Sequence, residues 1–482
     1  MSTQTPRELA QRIRKHAARG EPDKALAVGH AALDMWPDSW RGYSVYLHAL
    51  TSTGEIDYAI EICRDCATRF ADIAMPCQRL AEMLLRKGRF GEARAAIGAA
   101  AERGLGEEER LLFLARVSGA SNDWMGVRSM LEELRGVTDD VSCIQLVREA
   151  EACFRSGAPG DARRLVSEGL ALDPGNYKAL LLRHRIELML GDVPAAIDTL
   201  EEMANSPSRP MIEQVRVQLA ERSRGLAALP LDAEFVRPVV VDDVTSECVI
   251  SERGPGDAVA IVFTGLKQDL GFPIAIFDRY LARIGVTAIY LRDFSGHFFG
   301  GGITSLGGDP AATTRSLHER VTRIGARRIV MISDSGGALA AIHMGVELGA
   351  RKAVCFAPLT NVEPGFLRSI GDGRVNWLRN RLAGSVAGRY MSCRDRLAKQ
   401  SDPPHVAIYY GAAMKLDCAH AGQLEGLDCV DLHPLEGLDR HDAIPFLMAH
   451  NGLAAVLETA FTDQPEPRSV FDEFDAVESE LF

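Results

Sequence analysis

Residues Arg328-Ile329-Val330-Met331-Ile332-Ser333-Asp334-Ser335-Gly336-Gly337-Ala338-Leu339-Ala340-Ala341 decide how the second half of this 482-residue chain is read. A β-rich apolar run reaches almost to Ser335 and a helix-forming run follows it, so the chain turns sharply from strand to helix at a serine. A turn that tight strains the serine backbone, and Ser333 and Gly337, two residues before and two after it, have to be small to let strand and helix pass. The serine oxygen is left exposed at the carboxyl end of a sheet. The N–H of Gly336, at the start of the helix, points at negative charge developing there. The pattern is G-x-S-x-G with Ser333 in place of the first glycine.

Outward from this turn the chain alternates. Apolar runs at Ala258–Phe263, Val286–Leu291, Arg328–Ile332, Ala353–Phe356, His405–Tyr410 and Asp428–Leu432 are separated by helical patterns near Pro273–Ile284 and Pro310–Ile324, after Ser335, and from Ala443 to Leu457. Shorter β-rich runs, Phe235–Val241 and Cys248–Ser251, come first. Continuous apolar strands between amphipathic helices imply a mostly parallel sheet covered by helices on both faces, with ligands at the carboxyl ends of the strands.

A serine is a weak nucleophile at neutral pH and needs a base and a group that orients the base. The loop Gly411-Ala412-Ala413-Met414-Lys415-Leu416-Asp417 follows one strand and carries an acid. The loop Glu436-Gly437-Leu438-Asp439-Arg440-His441-Asp442 follows the last strand and carries a histidine at a helix start. Asp439 and Asp428 compete with Asp417, and His433 competes with His441. Asp442 is assigned to the helix N-terminus, and Asp334 is read as a solvated loop carboxylate.

The order Ser335, Asp417, His441, each after a strand, resembles that of the α/β-hydrolases, and the resemblance covers residues 235–460. It implies that Ser335 is the nucleophile, His441 the general base and then acid, and Asp417 the orienting carboxylate. It also implies an oxyanion hole made by the main-chain amides of Gly336 and of Leu266, after Thr264-Gly265. Two departures stand out: Ser333 replaces the usual glycine, and Thr264-Gly265 stands where many members have His-Gly. The glycine-rich loop Arg292 to Gly302 reaches the same edge, where Phe298 and Phe299 are candidates to wall a substrate pocket, with a merely flexible loop as the alternative. Residues 361–403 read as a cap insertion. They are rich in arginine (Arg368, Arg374, Arg379, Arg381, Arg389, Arg394 and Arg396), which suits an anionic substrate or simply a soluble helical surface.

The first half is a repeat of about 34 residues. Gly20-Glu21-Pro22-Asp23-Lys24-Ala25 is answered by Gly54 to Ala59 and Gly88 to Ala93, by a degenerate unit from Asn122 to Val127, and then by Gly157 to Ala162 and Gly191 to Ala196. The glycine ends one helix, the alanine sits where two helices come too close for a larger side chain, and proline after the second helix (Trp36-Pro37, Asp173-Pro174) closes the unit. These positions resemble the tetratricopeptide (TPR) repeat over residues 5–205. The resemblance implies a curved solenoid that binds a peptide or protein partner, the alternative being packing against its own second domain. Trp124, in the degenerate unit, marks a kink or a partner-facing irregularity.

The organisation that follows is a helical repeat domain at 5–223, a linker at 224–234, the sheet domain at 235–460 and an acidic tail at 461–482. A net charge of −12 argues against nucleic acid as a general partner. No signal peptide or membrane-spanning stretch stands out, and ten scattered cysteines suit reduced thiols, so a cytoplasmic location is expected. The Cys63-x-x-Cys66 pair lies in a helical pattern with no second pair, so neither zinc nor redox chemistry is assigned to it. The expected function is that of a serine hydrolase or acyltransferase working through an acyl-serine on a small-molecule or glycan ester. It needs no metal or organic cofactor, and the repeat recruits a protein or substrate partner. The alternative is a catalytically inactive scaffold on the same fold.

Overall fold

The computed structural model describes residues 5–137, 142–205, 213–229, 234–373 and 391–462, and the chain divides into two compact units, residues 1–141 and 142–482. The first unit is helical: α1 (Pro6–Ala18), α2 (Pro22–Met35), α3 (Trp40–Thr53), α4 (Ile56–Arg69), α5 (Met75–Arg86), α6 (Phe90–Ala101), α7 (Glu107–Ala120) and α8 (Trp124–Val137). Successive helices pair as hairpins, α1 with α2 through α7 with α8. The turn glycines Gly20, Gly54 and Gly88 all take positive φ, and in the fourth hairpin Asn122 does the same with φ 57°. The degenerate unit is therefore a regular hairpin, in which asparagine supplies the left-handed residue. Ala25, Ala59 and Ala93 have no exposed surface, and Val127 fills their place with 6% exposed. Cys63 and Cys66 are both buried on α4, where burial pushes their thiols up to about 12 and about 11.

In the second unit α9 (Cys143–Arg155), α10 (Pro159–Leu172), α11 (Tyr177–Met189) and α12 (Val193–Asn205) carry the repeat onward, with Ala162 and Ala196 fully buried. A further helix, α13 (Glu213–Ala227), packs on α12. It runs through Ala227, so the segment read as linker begins as helix. Residues 235–241 form no strand. Pro238 has no N–H to give a ladder, and the segment is pinned by side chains instead. Arg237 makes a two-pronged buried ion pair with Asp278 at 2.8 and 2.6 Å, and Val240 N–H donates to the same carboxylate.

The sheet has seven strands in the order β1-β3-β2-β4-β5-β6-β7: β1 (Cys248–Ile250), β2 (Ala258–Phe263), β3 (Thr287–Leu291), β4 (Arg328–Asp334), β5 (Lys352–Phe356), β6 (His405–Gly411) and β7 (Val430–Leu435). Only β1 runs antiparallel to its neighbour. All six residues of β2 are buried, as a strand covered on both faces requires. On one face Val259, Ile261, Phe263 and Met331 pack with residues of α15 (Pro310–Ile324) and α16 (Gly337–Leu348). On the other, Tyr290 of β3 donates its hydroxyl to Asp278 of α14 (Ile274–Arg283).

Phe263, Ser333, Cys355 and Ile408 lie level in the ladder, so β2, β4, β5 and β6 deliver their following loops to one edge. Of the expected cap, α17 (Pro364–Ser369) and α18 (Cys393–Ala398) are described, and the two ends are held together by Val362 N–H to Met391 O and Cys393 N–H to Thr360 O. Beyond β6 come α19 (Lys415–Gly422), then α20 (Ala443–Ala449) and α21 (Leu453–Phe461). The last two were expected as one helix. Asn451, in the left-handed region at φ 57°, and Gly452 break it, and the pieces meet at 107°. Among the described residues no single helix is long and apolar enough to cross a membrane.

Candidate active site

Ser335 follows β4 with φ 51°, the left-handed strain expected of a serine at so tight a turn. Its N–H donates to Phe356 O at the end of β5, and its C=O accepts from Leu359 N–H, so both sides of the turn are tied to the neighbouring strand exit. The small-residue rule has a visible cause. A side chain on Gly337 would place its Cβ 2.8 Å from Phe263 O and 2.9 Å from Thr264 O, both backbone atoms of β2 and its loop. Ser333 is fully buried opposite Cys355, and a serine is accommodated there.

His441 Nδ1 donates to Asp417 Oδ1 at 2.7 Å, which leaves Nε2 to accept from the Ser335 hydroxyl at 2.8 Å. Three residues more than a hundred positions apart at the extremes are thus joined in one hydrogen-bonded line. Asp417 was read as a loop residue; it lies in the first turn of α19 and is 3% exposed. The His441 side chain is 37% exposed, so the line opens to solvent at the serine end and is closed at the acid. The loop before His441 passes directly over the end of β6: a Cβ on Gly411 would meet Leu438 O at 2.8 Å and Arg440 O at 3.1 Å.

The competing residues lie elsewhere. His433 stacks on Tyr409 with ring centres 4.5 Å apart. Asp428 is exposed ahead of β7, at the opposite edge, and exposed Asp439 faces Arg440. Asp442 precedes α20 but makes no side-chain cap. Its carboxylate is taken by Arg222 at 2.9 Å and Gln218 at 3.1 Å, both on α13.

Gly336 and Leu266 line a common shallow cleft with Gly265, Gln268, Phe298 and Phe299, and no described residue accepts from either main-chain N–H. The Cβ position of Gly265 is 3.5 Å from Ser335 Cβ, which brings the β2 loop alongside the serine. Phe298 and Phe299 are buried, at 5% and 2% exposure, and belong to the core while also lining the cleft. Phe299 packs edge-on against Phe263 at 5.1 Å, and the Phe298 ring occupies the space a side chain on Gly336 would need. Their loop is tied down: Asp293 accepts from Gly296 and Phe299 N–H, and Gln268 Nε2 donates to Asp293 O. Gln268, in the left-handed region at φ 66°, carries no sequence signal for this bridging place.

Asp334 is not a freely solvated loop residue. Part of its surface reaches solvent, but burial pushes its carboxyl up to about 7, with His441 and Lys267 pulling it down and Asp269 and Asp442 pushing it up. A carboxyl raised in the folded state adds stability that is complete below the unfolded value near 4 and is lost as pH rises through about 7. Asp334→Asn is therefore expected to raise the thermal midpoint by about 2–4 °C at pH 8.5 and to leave it unchanged at pH 4. Melting curves across that range check it.

Of the arginines in the insertion, Arg394 donates to Gln423 O and Glu425 O, and Arg396 pairs with Glu347, so both are held by structure. Arg368 is exposed. Arg374, Arg379, Arg381, Arg389 and the acidic tail from 463 lie outside the described residues. Among the described residues no group of three His, Cys, Asp or Glu is placed to hold a metal ion.

No family model matches the chain, and no curated protein does. Among solved structures it is similar to YrrB, a TPR protein with an unusual peptide-binding site, at 12% identity over 40% of this chain and 97% of that one, with a TM-score of 0.31. A tetratricopeptide repeat protein from Parabacteroides merdae is 15% identical over 46% and 90%, with a TM-score of 0.35. The TPR2AB-domain–pHSP90 complex of yeast Sti1 is 12% identical over 45% and 98%, with a TM-score of 0.21. The residues from 5 to 205 form a TPR-like helical repeat, followed by a region of mixed sheet.

Proposed function

We propose that this chain is a serine hydrolase or acyltransferase of α/β-hydrolase type that acts on a small-molecule or glycan ester through an acyl-Ser335 intermediate. The observation that carries the reading is the line from Ser335 Oγ through the His441 ring to buried Asp417. Ser335 Oγ attacks the ester carbonyl carbon as its proton passes to His441 Nε2, and Asp417 stabilises the imidazolium and holds its orientation. The oxyanion of the tetrahedral intermediate accepts from Gly336 and Leu266 N–H, each donor contributing about 10²–10³ in rate. Collapse expels the alcohol, which takes the proton from Nε2 and leaves the acyl group on Ser335. Water or an acceptor hydroxyl, deprotonated by the same nitrogen, then releases it. None of these steps draws on a metal or organic cofactor. All ten cysteines are free thiols, which fits work in the reducing cytoplasm. The helical repeat offers a solenoid surface of the kind that recruits a peptide or protein, here the substrate or its carrier.

A second reading, a catalytically inactive scaffold for protein interaction, is favoured by the repeat array and by Phe298 and Phe299, which fill the space beside the serine with core side chains. Rapid mixing with p-nitrophenyl acetate separates the two. The hydrolase reading expects a burst of about one p-nitrophenol per chain and an acetyl mass increment on the peptide containing Ser335. A folded protein that gives neither supports the scaffold.

A further inference from the structure

The loop that carries His441 is gripped on both sides by one helix, and that helix follows the repeat. Arg440, immediately before His441, is ion-paired with Glu221 of α13, with only 14% and 8% of the two side chains exposed. Asp442, immediately after it, is held by Arg222 and Gln218 one turn apart on the same helix. Arg222 does a second thing: its Nη1 donates to Gly271 O at 2.9 Å, in the loop that leaves Leu266, and its guanidinium lies over the Phe272 ring at 5.1 Å. The approach is close as well as charged. A Cβ on Gly225 would meet Met448 Cβ at 3.1 Å and Ala449 N at 3.3 Å, and one on Gly271 would meet Pro445 at 3.0 Å.

Resting on the serine-hydrolase reading above, we infer that Glu221 and Arg222 of α13 are positioning residues for His441, and Arg222 also for the Leu266 loop, so that the helix following the repeat is part of the catalytic apparatus. The physical reason is reach. The 2.7 and 2.8 Å bonds of the imidazole tolerate little displacement, and the segment Arg440-His441-Asp442 is a bend with no regular structure of its own. A misplacement of about 1 Å costs on the order of 10²-fold in rate. Two ion pairs of opposite polarity, one residue either side of the base, fix both its place and the field on it. The charged groups around it are Asp417 on α19, Asp334 at the end of β4, Lys267 and Asp269 on the β2 loop, Asp439, Arg440 and Asp442 on its own loop, and Glu221 and Arg222 on α13.

The test uses the full chain and a fluorophosphonate, with labelling rates measured from pH 5 to 9 alongside the thermal midpoint. Arg222→Ala is expected to slow labelling about 10–100-fold and to move the acid limb of the profile to higher pH, because a bare Asp442 carboxylate favours imidazolium. Glu221→Gln is expected to slow it too but to move the limb to lower pH, because Arg440 loses its buried counter-charge and keeps only exposed Asp439. Arg222→Lys keeps the charge without the two-pronged reach and is expected to recover part of the rate. The exchange Glu221→Arg with Arg440→Glu is expected to recover rate that Glu221→Arg alone loses. Labelling rates and pH limbs equal to the native protein's in both single variants would overturn the inference, as would an exchange and a lysine variant no faster than the broken ones. The titration of the His441 ring, followed by NMR with ¹³C-histidine, reads the same coupling without chemistry. If the native protein fails to label, the hydrolase reading fails. A His441 titration that still moves in Arg222→Ala would then support the positioning, and one that does not would overturn it.

Discussion

Ser335→Ala is expected to remove ester turnover and acyl-enzyme formation together, a fall of about 10⁵–10⁶-fold in kcat, while the protein stays folded. The size follows from the chemistry: without the oxygen there is nothing for His441 to deprotonate, and only the oxyanion donors and binding remain, worth about 10³–10⁴ over water. The fold is expected to survive because, among the described residues, the hydroxyl bonds only to His441 Nε2, whereas the turn is tied by the Ser335 N–H and C=O, which alanine keeps. Alanine keeps the strain at φ 51° too, so the thermal midpoint should move by no more than about 2–4 °C. Steady-state turnover with a p-nitrophenyl ester and a melting curve check both parts.

Asp417→Asn is expected to cost about 10⁴-fold in kcat with the geometry retained. The carboxylate can only accept, which compels His441 to carry its proton on Nδ1 and leaves Nε2 free to take the proton of Ser335. An asparagine that turns its amide N–H₂ toward Nδ1 reverses the tautomer, and Nε2–H then faces the serine and cannot act as a base. Asp417 is 3% exposed, so bulk solvent has little access to the bond. A variant that keeps its fold and its rate would mean that the acid is structural. Burst amplitude and kcat measured side by side separate loss of acylation from loss of protein.

The central strands are legible because they are short apolar runs: β2 begins and ends at the residues its run Ala258–Phe263 implies, whereas the edge strand β7, with Asp431, His433 and Pro434, lies at Val430–Leu435 rather than Asp428–Leu432. The repeat was legible for a different reason. A glycine at a left-handed turn and an alanine at a helix crossing recur because small or left-handed residues are favoured there, and Asn122 and Val127 show that each place tolerates a substitution. Phe235 to Val241 misled because β-propensity says nothing of partners, and here a buried arginine–aspartate pair holds the backbone. The unbroken pattern from Ala443 to Leu457 misled because apolar periodicity survives a bend at Asn451.

At the site, the serine, the acid and the histidine could be read from where they fall after strands. How deeply Phe298 and Phe299 sit could not, since aromatic residues beside glycines suit a pocket wall and a core plug alike, and here both line the cleft while Phe299 also packs on Phe263. In sequence Asp334 looks like an ordinary loop carboxylate and Asp442 like a helix cap, which it does not form. Nothing in their neighbourhood in sequence reveals a partner 220 residues away on α13 or the burial that raises a carboxyl to about 7.

The central claim is that Ser335 is an activated nucleophile, and the most direct measurement is the site and rate of modification of the native full chain by a fluorophosphonate, read by intact mass and peptide mapping. The account predicts one adduct per chain on Ser335, lost in His441→Ala although the serine is still present. An unmodified, folded protein, or equal modification of Ser335 with and without His441, would contradict it.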